Sequence, residues 1–149
     1  LRTAVYTLTG ENPIDFPEVR GTEGIKEATY NVAGMDVKVA VASGLANAKE
    51  LLEKVQKGEA DYHFIEIMGC PGGCVNGGGQ PQVAMGIRNF VDIRAERAKV
   101  LYNIDAEMPV RQSHENPAIK AIYDEFLEKP GSHKAHELLH TTYVKRSIN

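Results

Sequence analysis

The stretch Glu66-Ile67-Met68-Gly69-Cys70-Pro71-Gly72-Gly73-Cys74-Val75-Asn76-Gly77-Gly78-Gly79-Gln80-Pro81 holds both cysteines of the chain, four positions apart, among six glycines and two prolines. Thiolates are preferred ligands for soft metal ions and iron–sulfur clusters. Glycines expose backbone N–H groups that can hydrogen-bond to sulfur, and they leave room for a bulky group to come close. Buried structural thiols would sit among apolar side chains, which this loop lacks. A zinc site would favour a tighter spacing and a second Cys or His pair. A phosphate-gripping glycine loop would run into a helix start, whereas Gly77-Gly78-Gly79 runs into Gln80-Pro81. A zinc half-site and a redox disulfide stay open at this point. Iron–sulfur chemistry is the reading that uses both the thiols and the glycines. Two thiolates are half of the four that a cubane takes, so its other ligands are expected from outside this chain.

The loop has to be carried by something rigid. Phe64-Ile65-Glu66-Ile67-Met68 reads as a short strand delivering the chain into it. Upstream, Ala28, Tyr30 and Val32 alternate with polar residues, Ala33-Gly34 turns, and Val37, Val39 and Val41 alternate again, which predicts a hairpin with one buried face. Ser43-Gly44 opens a helix that places Leu45, Ala48, Leu51, Leu52 and Val55 on one side and closes at Gly58. A β-β-α-β order with a ligand loop at the carboxyl end of a strand is typical of α/β sites. Before it, residues 1–9 read as a helix stopped by Gly10, and residues 14–24 as an irregular connection.

After Pro81 the pattern turns helical. Residues 94–105 carry Ala98, Leu101 and Ile104 on one face, and Asn116-Pro117 starts a helix with Ile119, Ile122, Tyr123, Phe126 and Leu127 as its apolar stripe. Pro130-Gly131 ends that helix, and a last short one is expected over residues 134–140. His136 and His140 stand four apart on it, but contact and capping account for them, with His114 and His133, better than a metal does. Arg94 and Arg97 are expected on a solvated or domain-contacting face.

The bulk numbers narrow the classes. A chain of 149 residues with 42% hydrophobic and 25% charged side chains has ordinary globular composition, and a net charge of -3 offers no attraction to nucleic acid or an anionic membrane. No apolar run approaches the roughly 20 residues that span a bilayer, and a signal peptide is not expected. Two close cysteines do not make a secreted disulfide framework, so reduced thiols and a cytoplasmic setting are expected. Leu1-Arg2-Thr3-Ala4-Val5-Tyr6 reads as the middle of a helix, which suggests a piece of something longer.

The run from Glu66 to Pro81 resembles the third signature of the [FeFe]-hydrogenase catalytic domain, Glu-x-Met-x-Cys-x-x-Gly-Cys-x-x-Gly-Gly-Gly-Gln-Pro, at every fixed position. Val19-Arg20-Gly21 and Gly24-Ile25-Lys26-Glu27-Ala28 are similar to the stretch before it in that family. Arg111-Gln112-Ser113-His114-Glu115-Asn116-Pro117, Tyr123-Asp124-Glu125-Phe126-Leu127 and Leu138-Leu139-His140-Thr141-Thr142-Tyr143 resemble its terminal segment, a separate small subunit in two-subunit members.

The resemblance implies an α/β fold: a partial mixed-sheet lobe with flanking helices over residues 1–91, then a helical tail over 92–149 that wraps the catalytic domain. It implies an H-cluster, a 4Fe-4S cubane joined to a diiron part with CO, cyanide and azadithiolate ligands. Cys70 would ligate the cubane, Cys74 would bridge it to the diiron part, Met68 would line the diiron site, and Gly72 and Gly73 would lie against the cofactor. Glu66, on the same strand face as Met68, would orient backbone and take no catalytic part. The activity implied is reversible reduction of protons to dihydrogen, with ferredoxin or a similar electron carrier as partner. A hydrogen-sensing or cluster-scaffold relative is the alternative. The family's first two signatures, with the other cubane cysteines and the proton-relaying thiol, are absent from this chain. The rest of the catalytic domain is therefore an expected partner, and the chain alone is expected to be inactive.

Overall fold

A computed structural model describes residues 1–13, 15–145 and 147. Ile14, the first residue of the expected irregular connection, lies outside them. The chain divides into two compact units, residues 1–108 and residues 109–149.

The first unit is built on three strands, β1 (Ile25–Val32), β2 (Met35–Ser43) and β3 (Phe64–Met68), in the order β1-β2-β3. β1 and β2 form the antiparallel hairpin that the alternation predicts, turning at Ala33-Gly34, with Val32 opposite Met35 and Ile25 opposite Ala42. β3 returns parallel to β2, with Val39 opposite Phe64 and Ser43 opposite Met68. A parallel return needs a crossover; helix α2 (Leu45–Gln56) supplies it. The result is a mixed α/β sheet.

β2 departs from the expected one-faced strand. Residues 39–43 are buried at every position, because β2 lies between its two neighbours and both faces of its second half are covered. On one face, Ala40 and Ala42 pack with Ala48 and Leu51 of α2, flanked by Ile25, Tyr62 and Ile65. Of the five apolar positions expected on the buried side of α2, only Ala48 and Leu51 are buried; Leu45, Leu52 and Val55 stay exposed. A sheet this narrow covers one thin stripe of a helix.

Helix α1 (Arg2–Thr9) ends at Gly10 as expected. The short α3 (Met85–Arg88) and the long α4 (Ile93–Glu107) follow the cysteine loop. Asp92 caps α4, accepting from the N–H groups of Arg94 and Ala95 at 3.0 and 3.2 Å. Asp105 near the other end of α4 receives Arg2 from α1 at 3.0 Å and Arg20 at 2.8 Å. The hydroxyl of Tyr102 accepts from the Gly21 N–H at 2.8 Å. Leu101 and Ile104 are exposed and only Ala98 of that face is buried.

In the second unit, Asn116 caps α5 (Pro117–Ile122) by accepting from the Ala118 N–H, and a π-turn continues it over Tyr123–Leu127. Within the expected apolar stripe Leu127 alone is buried, while Ile122 and Phe126 are exposed. Ser132 caps α6 (His133–Leu139), and its hydroxyl donates to the Leu127 carbonyl at 2.6 Å. The rings of His136 and His140 stack at 4.1 Å. Among the described residues no group of three or more His, Cys, Asp or Glu could hold a metal ion, and no helix is long and apolar enough to cross a membrane.

Candidate cluster-binding loop

The loop leaves the carboxyl end of β3, where the strand is anchored to its neighbour by the Gly44 N–H donating to the Met68 carbonyl at 2.8 Å. Two tight turns then follow. The Gly73 N–H donates to the Cys70 carbonyl at 3.0 Å, and the Asn76 N–H to the Gly73 carbonyl at 3.3 Å, closing a 3-10 turn over Cys74–Asn76. The first turn runs through Gly72 and Gly73 at φ 80° and 83°. Gly73 combines its φ with ψ -162°, a region open essentially to glycine alone.

These glycines also permit close approach, though the near neighbours are the protein's own side chains. A Cβ on Gly73 would lie 3.4 Å from Sδ and Cε of Met68 and 4.0 Å from Oγ of Ser43. A Cβ on Gly72 would lie 2.9 Å from Cδ of Arg94. Gly77, Gly78 and Gly79 face open space.

Met68, Gly73 and Cys74 are brought together: Cys74 Sγ is 3.9 Å from Met68 Sδ. Cys70 and Cys74 are both free thiols, Cys70 partly buried and Cys74 exposed. Cys70 is tied to Gly73 through its carbonyl. The donor set is soft, two thiols and a thioether, and suits iron–sulfur or another thiophilic centre. It holds half of the thiolates a cubane needs.

Glu66 is exposed on the same face of β3 as Met68, as alternation predicts. In register it shares a row with Val41 and Lys26. Lys26 is buried, and its ammonium donates to the carbonyls of Gly21 and Glu23 at 3.1 and 3.2 Å. Burial pushes its pKa below the usual lysine value, against the opposing pull of Glu23 and Glu66.

Three residues near the loop went unrecognised in the sequence. Ser43 read as a helix opener; it is instead the last residue of β2, fully buried, and Gly44 takes the cap position without a side-chain bond. Arg97 read as a surface or contact residue; it clamps the loop, donating to the carbonyls of Val75 at 3.4 Å and Pro81 at 2.6 Å. Arg94, half exposed, lays its stem over Gly72. The arginine spacing on α4 was the available signal, since positions 94 and 97 lie one turn apart on one side of the helix. Behind the clamp an open groove of about 770 Å³ is lined by Gly77, Gly78, Gln80, Arg88, Arg94 and Arg97, among others; neither cysteine lines it.

Residues 1–78 match the family model of the iron only hydrogenase large subunit, C-terminal domain, and residues 91–146 match that of the iron hydrogenase small subunit. The chain belongs to the iron-only hydrogenase family. It is 47% identical over 148 residues to the NADP-reducing hydrogenase subunit HndD of Solidesulfovibrio fructosivorans, covering 98% of this chain and 24% of that protein. An [FeFe]-hydrogenase whose oxygen inactivation begins at the 2Fe subcluster of its H cluster superposes with a TM-score of 0.73 at 39% identity, over 96% of this chain and 42% of that one. A probable cytosolic Fe-S cluster assembly factor of Drosophila willistoni is 34% identical over 140 residues, covering 93% of this chain and 28% of its own length. The chain thus spans about a quarter of the curated relatives it matches.

Proposed function

We propose that this chain forms the part of an [FeFe]-hydrogenase that closes one side of the H-cluster cage. The complete protein would reduce protons reversibly to dihydrogen, drawing electrons from ferredoxin or a similar carrier in the cytoplasm. One observation carries the reading: a thioether and an exposed thiol, Met68 and Cys74, stand 3.9 Å apart at the end of a strand, on a loop folded through two left-handed glycines. When bound, the H-cluster would supply the iron centre at which protons and electrons combine.

This chain's residues would do the holding. Cys70 would ligate the 4Fe-4S cubane, and Cys74 would hold both the cubane and the diiron part. Met68 would line the diiron side with a flexible, weakly ligating group. The turn through Gly72 and Gly73 would present the two thiols to one centre. Arg97 fixes the far limb of the loop through two carbonyls. The remaining thiolates would come from the rest of the catalytic domain, which would also cover β3, an outer strand of the sheet with Phe64 and Ile67 exposed.

Replacing Cys74→Ser in the complete protein tests this. Hydrogen evolution should fall below detection, with the infrared bands of CO and cyanide lost, while the fold persists. Full activity with full diiron occupancy would refute the assignment. The second reading, a relative that assembles clusters or senses hydrogen without turnover, is favoured by the likeness to the Drosophila assembly factor. It predicts iron and sulfide in the wild-type protein but no hydrogen evolution under strong reductant.

A further inference from the structure

Three glycines in a row, Gly77, Gly78 and Gly79, follow Cys74-Val75-Asn76, and all three face open space. Glycine gives up more backbone freedom on ordering than any other residue, and such a stretch has no side chains to pack. One turn of its own is present, the Gln80 N–H donating to the Gly77 carbonyl at 3.1 Å. A ligand at Cys74 has to be held far more closely than that, so the order must come from outside the loop.

Helix α4 supplies it from one side. Arg94 lays its stem over Gly72, just before Cys74. Arg97 reaches two carbonyls just after it, Nη1 donating to Val75 at 3.4 Å and Nη2 to Pro81 at 2.6 Å. The two arginines thus bracket Cys74. Separate nitrogens of one planar guanidinium hold both ends of the segment 75–81, a span that the single ammonium of a lysine does not match. Bonds from an ionised donor are also stronger than neutral ones. The helix itself is fixed at both ends, by the Asp92 cap and by Asp105 receiving Arg2 and Arg20. Val75 is buried under this grip while Cys74 stays exposed, so the clamp leaves the sulfur open to a metal centre. The grip also joins two segments: Cys74 and Val75 lie in the stretch that matches the large-subunit family model, and α4 in the one that matches the small-subunit model.

We propose that Arg97 is a positioning residue, through which α4 fixes the backbone beside Cys74 so that its sulfur meets the metal centre in one orientation. This rests on the iron–sulfur reading above and deepens it: Cys74 binds, and a residue of the small-subunit-like segment sets where.

The test compares Arg97→Ala, Arg97→Lys and Asp105→Asn in the complete protein. Hydrogen exchange of the amides of residues 75–80 is measured in cluster-free protein. In loaded protein, the infrared bands of CO and cyanide are measured against the paramagnetic resonance of the cubane. Arg97→Ala should speed that exchange roughly tenfold, the worth of one hydrogen bond to a charged group, and leave β1 and β2 as they were. Its diiron share per cubane should fall, and the remaining bands should broaden or split as Cys74 takes more than one orientation. Arg97→Lys keeps the charge but loses the fork, and should fall short of wild type in both readouts. Asp105→Asn, at the far end of α4, should lower the urea midpoint and leave both readouts unchanged, which separates positioning from mere stability. Wild-type exchange or wild-type bands in Arg97→Ala overturn the proposal, as does a lysine variant equal to wild type. So does an Asp105→Asn protein that reproduces the alanine variant. Should Arg97→Ala fail to fold, Arg97→Lys carries the same two readouts. Wild-type protein that binds no iron would overturn the cluster reading, and the role toward Cys74 with it, whereas failure of the exchange measurement alone overturns only the clamp.

Discussion

Gly73 is the position where backbone geometry and chemistry meet most tightly, and Gly73→Ala measures both. Two terms act against alanine. At φ 83° and ψ -162° a side chain is held in a region that costs about 1–3 kcal/mol. The new methyl would also come to 3.4 Å from the end of Met68, a contact this flexible side chain can relieve by moving a few tenths of an ångström. The backbone term should therefore dominate. At about 2 kcal/mol it lowers the population of the native turn roughly thirtyfold. The control is Gly10→Ala, also left-handed at φ 73° but with nothing within 4 Å and far along the chain from the loop. Urea unfolding followed by circular dichroism, with iron and sulfide analysis of the complete protein, separates the two. Both variants should lose stability, and only Gly73→Ala should lose iron. Adding Met68→Ala to Gly73→Ala removes the methyl contact but leaves φ unchanged, so it should recover little. A Gly73→Ala protein with wild-type stability and iron content would refute the reasoning. Full recovery in the double variant would show that the contact dominates and the backbone does not.

Two further outcomes follow from the lobe itself. Leu51→Ala, which empties a fully buried site beneath Ala40 and Ala42, should cost about 2–5 kcal/mol in urea unfolding; a loss under 1 kcal/mol would mean that the helix–sheet seam collapses to fill the space. On alkaline titration at 295 nm, Tyr30 and Tyr62 should ionise late. Burial first, and then their hydrogen bonds to Glu18 and Glu27, push both up to about 12. Because the folded pKa lies above the ordinary value of 10, the folded state holds more protons between pH 10 and pH 12. Their contribution to stability is thus complete below pH 10 and is lost as pH rises toward 12. Lys26 acts with the opposite sign, its lowered pKa making its burial less costly as pH rises toward 10.5. A tyrosine spectrum that titrates in one step near pH 10 would contradict the two hydrogen-bonded pairs.

What could be read without the structure was local. Gly10, Asn116-Pro117 and the Ala33-Gly34 turn act on the residues beside them, and each ends or starts an element where its chemistry predicts. The cysteine loop stood out for the same reason: thiol, glycine and proline fall together within sixteen positions, and the resemblance to the hydrogenase signature is likewise a property of contiguous residues. Partners distant in the chain were not legible. Alternation along residues 37–42 marks one apolar face, yet β2 is buried on both, since its position between β1 and β3 depends on where the chain returns after α2. The apolar stripes of α2 and of residues 119–127 announced burial that the structure grants only in part, because hydrophobic spacing states which side could be covered and never how much surface arrives to cover it. Arg97 reaching back to the carbonyls of Val75 and Pro81, Arg2 and Arg20 converging on Asp105, and Ser43 standing unpaired behind Gly73 all join residues that no periodicity connects. Sequence alone determined which side chains share one loop. The tertiary fold decided which other groups press on that loop, because hydrogen bonds and packing contacts act through space over a few ångströms while the residues that make them lie 16 to 103 positions apart.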